Sequence, residues 1–291
     1  MPWTHKPCAT NRQMKKDLFR NILCSIAALA ICLGCNAGQD SIFPRSFHKT
    51  CEPVITNPDV LAPVFQKLHS GEYLRIVHIG DSHVRGHSFT VETRRILEEA
   101  WGSQAVVPQN ITYQTTAIAT ETGLPGLVYH TIGKNGATYR TFIDQDRIQL
   151  IDSLKPDLII ISLGTNDAFG ATFDSEAMLA NMDTLCTILQ EHNPSAKILL
   201  TTPPGCYRHH TPLKHIKEVT AIQRNYAIQH GLALFDLYTT VGGEVFALRN
   251  WRSQGMMNRD LIHFKHSGYK LMGALLAQAI LTADAQDSAG N

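Results

Sequence analysis

Four short stretches of this 291-residue sequence combine residue types that acyl-transfer chemistry requires. In Ile79-Gly80-Asp81-Ser82-His83 a hydroxyl closes an apolar run and opens a helical pattern carried by Phe89, Ile96, Leu97 and Trp101. A serine so placed stands at the rim where α/β folds bind ligands, among backbone N–H groups at the positive end of a helix. Alone, Gly-Asp-Ser is only three residues, and a turn with an N-cap serine is the commoner explanation. Asp260-Leu261-Ile262-His263 sets a carboxylate three residues before an imidazole, just ahead of the last helical pattern. Serine hydrolysis needs a base within reach of the hydroxyl and an acid that holds the base's tautomer. An ordinary surface loop is the alternative there, because the chain has 14 histidines. Gly164-Thr165-Asn166-Asp167 and Gly133-Lys134-Asn135-Gly136-Ala137 follow two further apolar runs. They offer a side-chain amide and a glycine N–H, both suited to a tetrahedral oxyanion.

The elements that must position these residues show in the hydrophobic pattern. Apolar runs at Leu74–Ile79, Leu127–Ile132, Leu158–Leu163, Ile198–Thr202 and Leu232–Leu237 lack polar alternation, which marks strands buried on both faces. Between them lie amphipathic stretches, such as Met178, Leu179, Met182, Leu185, Cys186 and Leu189 at spacings of three and four. The pattern predicts a central parallel sheet flanked by helices, a three-layer α/β/α domain over residues 72–285 with a short tail at 286–291. The last helix shows an apolar face of Met272, Leu275, Leu276, Ala279 and Ile280, with Ser267 as its expected cap. Trp101 to Pro125, rich in Thr, Gln and Gly, reads as a loop excursion bordering the site.

Composition removes several function classes. Lys+Arg 26 against Asp+Glu 25 gives a net charge of +1, so no strong field points at nucleic acid. Neither a dinucleotide-binding glycine fingerprint nor a P-loop occurs, and the histidines and cysteines match no zinc spacing. No metal or other cofactor is expected. Arg208-His209-His210, after Pro203-Pro204-Gly205, reads as a rim loop that touches substrate rather than a nucleic-acid patch.

The N-terminus has a different character. Lys15, Lys16 and Arg20 precede twelve uncharged residues, Ile22 to Leu33, too few to span a bilayer but suited to a secretory signal, with Met1 or Met14 as the start. Its end, Cys32-Leu33-Gly34-Cys35, resembles a bacterial lipobox, in which the second cysteine takes a lipid and becomes the new N-terminus. Plain secretion and a retained anchor are the alternatives. The expectation is a lipoprotein-type signal peptide over 1–35 and a tether and lead-in over 36–71, where Pro44, Pro53, Pro58 and Pro63 fall. Removal of 1–35 takes five basic residues and one acidic, leaving 21 against 24 and the cysteines Cys51, Cys186 and Cys206. Cys186 is expected as a buried thiol.

Taken together, and in this order and spacing, the four stretches resemble the blocks of the SGNH (GDSL) hydrolase superfamily, over about residues 72 to 283. The resemblance implies a flavodoxin-like α/β/α fold and assigns roles by position. Ser82 is the nucleophile, His263 the general base and Asp260 its orienting acid. The Ser82 N–H, Gly136 and Asn166 form the oxyanion hole. Gly133 competes for the second block, but Gly136 keeps the better distance from the preceding strand. His83 departs from the Leu or Ile common after the serine, and Gly-Asp-Ser-His with Asn-Gly-Ala resembles envelope esterases that act on acylated glycans. The expected activity is therefore a cofactor-free serine esterase that removes short acyl groups, acetyl above all, from an envelope or extracellular carbohydrate. The expected location is the cell envelope, with membrane contact only through a lipid at Cys35. A lipase or lysophospholipase with the same triad is an alternative, since Phe169, Phe173 and Tyr207 can line an acyl pocket as readily as stack on a sugar. A glycan-binding lipoprotein that lacks the chemistry is the other.

Overall fold

Leu158-Ile-Ile-Ile-Ser162 is buried at every position, and in the computed structural model it is the middle strand of a seven-stranded sheet. The structure describes residues 42–108, 116–169 and 173–290. The strands of the sheet are β1 (Ile55–Thr56), β2 (Tyr73–Gly80), β3 (Thr116–Ala117), β4 (Gly126–Gly133), β5 (Leu158–Ser162), β6 (Lys197–Thr201) and β9 (Ala233–Phe235). A separate hairpin joins β7 (Tyr207–Arg208) and β8 (Thr211–Pro212). The sheet order is β1-β9-β6-β5-β2-β4-β3; the five inner strands are parallel, and β1 and β3 pair antiparallel at the two edges.

Nine helices connect the strands among the described residues: α1 (Ala62–His69), α2 (Ser82–Arg85), α3 (Ser88–Trp101), α4 (Gln145–Ser153), α5 (Ser175–His192), α6 (His215–His230), α7 (Leu237–Thr240), α8 (Gly243–Ser253) and α9 (His266–Gly290). One group, α1, α3 and α9, packs together over β2 and β4; α5 and α6 form a second group. In α5 the cap Asp174 accepts from the Ala177 N–H, and Met178, Met182, Leu185, Cys186 and Leu189 are buried, while Leu179 turns outward. Cys186 and Cys206 are buried thiols, and no disulfide joins the cysteines of the described residues.

The sheet differs from the sequence-based expectation at its margins. Residues 42–71, expected within a tether and lead-in, contribute β1 to the sheet edge and α1 to the core, through Ile55, Leu61, Val64, Phe65 and Leu68. Two of their four prolines fall at element starts, where a missing N–H costs nothing: Pro58 opens a 3₁₀ turn and Pro63 lies in the first turn of α1. The expected tail at 286–291 is helical through residue 290, a continuation that Ala283, Ala285 and Ala289 favour. Ser267 lies inside α9 and does not cap it. The Lys265 carbonyl already accepts from the Tyr269 N–H, and the Lys265 N–H is tied to Met256 O. The expected signal at 1–35 and residues 36–41 fall outside the described residues, as do 109–115 of the Trp101–Pro125 excursion.

Register brings four strand ends to one line. Gly80 lies opposite both Gly133 and Ser162, and Ser162 opposite Thr201. A row of side chains just below it crosses β4, β2, β5 and β6. Thr201 Oγ1 donates to Ser162 Oγ (2.8 Å), which pairs with His78 Nε2 (2.7 Å), and His78 Nδ1 pairs with Tyr129 OH (2.7 Å). Because Thr201 supplies one hydrogen, the serine's own proton goes to Nε2, which leaves Nδ1 as the protonated nitrogen of a neutral ring. Burial, which pushes His78 down to about 3, favours the same form.

The turn from β2 into α2 is possible only because two residues lack a Cβ. A Cβ at Gly133 would lie 2.3 Å from the Arg85 backbone nitrogen, and one at Gly80 would lie 2.4 Å from a Val84 methyl and 2.6 Å from the Ser162 carbonyl. Since the obstacle at Gly133 is backbone, Gly133→Ala must displace α2. It is expected to lower stability by about 2–3 kcal/mol in urea unfolding, whereas Gly136→Ala, with open space around it, should spare the core.

Candidate active site

Ser82 opens α2, immediately after Asp81, whose side chain caps the helix by accepting from the His83 N–H at 2.8 Å. The facing residues come from a turn that the backbone holds in several places. Asn258 N–H donates to His263 O, Lys265 N–H to Met256 O, and Met257 bridges Phe264, so residues 256–265 form a hairpin-like loop. Within it Leu261 takes a left-handed φ of 55, a conformation that costs a branched side chain energy and reverses the chain between the acid and the imidazole. Leu261 is held by its N–H to Asn258 O and its carbonyl to the Tyr207 N–H, while its side chain packs on the core.

That turn aims two groups at Ser82. Asp260 Oδ1 accepts from the N–H groups of Ile262 (2.9 Å) and His263 (3.0 Å), and Oδ2 lies 2.7 Å from His263 Nδ1. His263 Nε2 lies 2.9 Å from Ser82 Oγ. With Nδ1–H donated to the carboxylate, Nε2 presents a lone pair to the serine hydroxyl. Burial acts to raise the Asp260 pKa, but the His263 ring and the two N–H groups outweigh it and hold the carboxyl below its ordinary value.

Asn166 and Gly136 reach the same place from the ends of β5 and β4. The Asn166 amide donates to Ala137 O (3.0 Å) and, more weakly, to Asp81 Oδ2 (3.4 Å). Gly136 sits in an exposed turn closed by Ala137 N–H to Lys134 O, and its φ of 72 is the value that such a turn asks of its third residue and that glycine supplies without strain. The five residues singled out from the sequence therefore stand at one edge of the sheet. Ser82, His263 and Asp260 are linked directly; Asn166 touches the residue before the serine, and Gly136 adjoins Asn166 through Ala137. Gly133, the competing glycine, lies beneath α2 instead.

Three neighbours complete the surroundings, of which the sequence marked Arg208 as part of a rim loop and His83 as an unusual residue after the serine. His83 is buried behind His263, ring centroids 5.7 Å apart, with Nδ1 on Tyr269 OH and its pKa pushed down to about 3 by burial. Asp167 accepts from the Tyr139 N–H, and burial raises it to about 6. Arg208 donates to Phe169 O at 3.0 Å with its guanidinium 5.6 Å from the Phe169 ring, which ties the β7–β8 hairpin to the segment after Asn166.

Comparison with known proteins gives a consistent result. A family model described as GDSL-like lipase/acylhydrolase matches residues 79–271. Among solved structures, a peptidoglycan O-acetylesterase is similar with a TM-score of 0.66 at 20% identity, over 84% of this chain and 100% of that one. A two-domain esterase active on acetylated mannans, crystallised with mannopentaose, has a TM-score of 0.57 at 14% identity over 81% of this chain. This chain covers 56% of that esterase's length. At such identities the likeness is one of fold. No curated protein sequence matches.

Burial raises the Asp81 carboxyl to about 7, against the opposing pull of the His83 N–H, His263 and Thr165. A carboxyl raised in the folded state binds more protons there than in the unfolded chain, so its contribution to stability is complete below about pH 4 and is lost as pH rises to about 7. His78 and His83, depressed to about 3, act in the opposite direction up to about pH 6.5, so the wild-type profile alone does not isolate Asp81. The difference between wild type and Asp81→Asn does. It should shift against wild type by at least about 1 kcal/mol between pH 4.5 and 7.5 in urea unfolding, and a pH-independent difference would exclude a raised Asp81 pKa.

Proposed function

The chain belongs to the GDSL-like lipase/acylhydrolase family and is an SGNH-type ester hydrolase; from that premise we propose that it removes short acyl groups, chiefly acetyl, from a carbohydrate, using Ser82, His263 and Asp260. The observation that carries the proposal is the continuous path from Asp260 Oδ2 to His263 Nδ1 (2.7 Å) and from His263 Nε2 to Ser82 Oγ (2.9 Å). Ser82 Oγ attacks the ester carbonyl as its proton passes to His263 Nε2. Negative charge collects on the carbonyl oxygen, which takes hydrogen bonds from the N–H groups of Ser82 and Gly136 and from the Asn166 amide. The 3.4 Å contact between Asn166 and Asp81 is weak enough to be exchanged for that oxyanion. His263 then gives its proton to the departing sugar oxygen, which leaves an acyl-serine; it next takes a proton from a water that attacks the acyl carbon, and returns that proton to Ser82 Oγ as the acid leaves.

Two observations support a short acyl group on a sugar over a fatty chain. The aromatic rings able to line an acyl groove already have polar partners: Phe173 stacks on His215 (5.2 Å), Phe169 lies beneath Arg208, and Tyr207 is buried beneath Arg252. The two similar solved structures named above are esterases whose substrates are described as peptidoglycan and acetylated mannans. The test is release of acetate from acetylated polysaccharides, followed by mass spectrometry, together with kcat/KM on p-nitrophenyl esters of increasing chain length. Wild type should release acetate and decline beyond butyryl; Ser82→Ala, folded by circular dichroism, should lose at least about 10³-fold. A rate that climbs to octanoyl would instead favour the lipase reading, and full activity in Ser82→Ala would remove the triad.

Export is part of the same proposal. The basic and apolar pattern before Cys35 supports a lipoprotein of the envelope whose ester-hydrolysing domain stands on an acyl anchor. Retention grows by about 0.8 kcal/mol per buried CH₂, so wild-type protein should partition into the detergent phase and Cys35→Ala into the aqueous phase. Equal partitioning would point to plain secretion or an uncleaved signal.

A further inference from the structure

The hairpin beside the site is held in a conformation that its sequence does not favour. Tyr207 pairs with Pro212 and Arg208 with Thr211, which leaves His209 and His210 as a two-residue loop with φ of 47 and 63. Positive φ at both loop positions is the mark of a type I′ turn, which Asn-Gly or Asp-Gly ordinarily fills because other side chains are strained there. Both imidazoles are exposed, so burial does not offset the strain.

The hairpin also spans the walls of the site. The Tyr207 N–H donates to Leu261 O, inside the turn that carries Asp260 and His263, and Arg208 donates to Phe169 O, on the segment that begins at Asn166. From Thr202 to Lys217 the chain carries Arg208, His209, His210, Lys214, His215 and Lys217 and no carboxylate. His215 and Lys217 face Glu218 (3.2 Å) and Glu244 (2.7 Å), so the donor character of the hairpin tip rests on His209, His210 and Lys214, with the Arg208 charge beside them bonded to Phe169 O. Local strain retained at a site, with no packing to explain it, points to contact with a ligand.

We propose that the tip of this hairpin is a subsite for an anionic substituent of the substrate, so that the ester hydrolysed is carried on an acidic glycan and not a neutral one. The proposal rests on the reading of the site as a carbohydrate esterase. An imidazole donates an N–H to an oxyanion whether neutral or protonated, and Arg208 and Lys214 add fixed positive charge beside it. Sugar carboxylates and sugar phosphates share this chemistry.

The probes are O-acetylated oligogalacturonate for carboxylate, O-acetylated phosphomannan for phosphate and O-acetylated mannooligosaccharide as the neutral reference. Wild type should hydrolyse at least one anionic probe with kcat/KM about tenfold above the neutral one, through KM, and the preference should shrink with added salt; the better anionic probe identifies the group. The double variant H209N/H210G, whose Asn-Gly suits the turn, should raise Tm by about 2–5 °C while losing most of the preference. Equal rates on charged and neutral glycans, or a preference that survives in H209N/H210G, would overturn the subsite and leave the carbohydrate reading intact. Hydrolysis of p-nitrophenyl acetate with none of the three glycans would overturn both.

Discussion

At the centre of the sheet two backbones pass closer than any side chain allows. Gly80 ends β2 and Gly133 ends β4, and the bare Cα of each lets the single turn of α2 settle directly on the strand ends. From that contact follows the direction of Ser82, which leaves the sheet at the first residue of a helix with its N–H groups turned to the same side. The parallel register then brings the loops after β4 and β5 alongside. Side chains from distant parts of the sequence share one rim because three strands end in step.

The charges near Ser82 are arranged by depth. Asp260 lies in a partly open turn with three donors on its carboxylate, which keeps it ionised beside the His263 imidazole. Asp81 and Asp167 lie deeper, where burial outweighs the donors that each carboxyl has, and both are raised. Asn166 stands between these two environments, with its amide shared by a backbone carbonyl and the edge of the Asp81 carboxylate. An acid that stays charged next to acids inclined to keep their protons is a division of labour set by solvent access, with residue type held constant.

Much of this was legible in the sequence, and the exceptions have definable causes. The five inner strands stand within about two residues of the apolar runs, since burial on both faces writes an unbroken hydrophobic signature. The edge strands β1 and β3 are two residues each, too short to carry any period, and the His-His loop between β7 and β8 is the opposite of a turn signal. Ser82, Gly136, Asn166, Asp260 and His263 could be singled out because their types, their spacing and their places after apolar runs or ahead of the last helix are local properties. The raised Asp81, the packing of His83 behind His263 and the left-handed Leu261 depend on what surrounds them in space, which no short window of sequence contains.

The span matched by the family model opens at Ile79, when β2 is nearly complete, and closes at Leu271, six residues into α9. What is inherited as a recognisable unit is thus narrower than what must fold. β9 receives its edge partner from Ile55–Thr56, and α9 packs on α3 and on α1, so the segments before and after the matched span meet across the same helical layer. During synthesis that layer stays open until the last helix emerges, and the parallel strands wait on contacts of long sequence separation, which are slow to form. The segments flanking the matched span, which carry none of the five site residues, decide when Ser82 acquires a settled place.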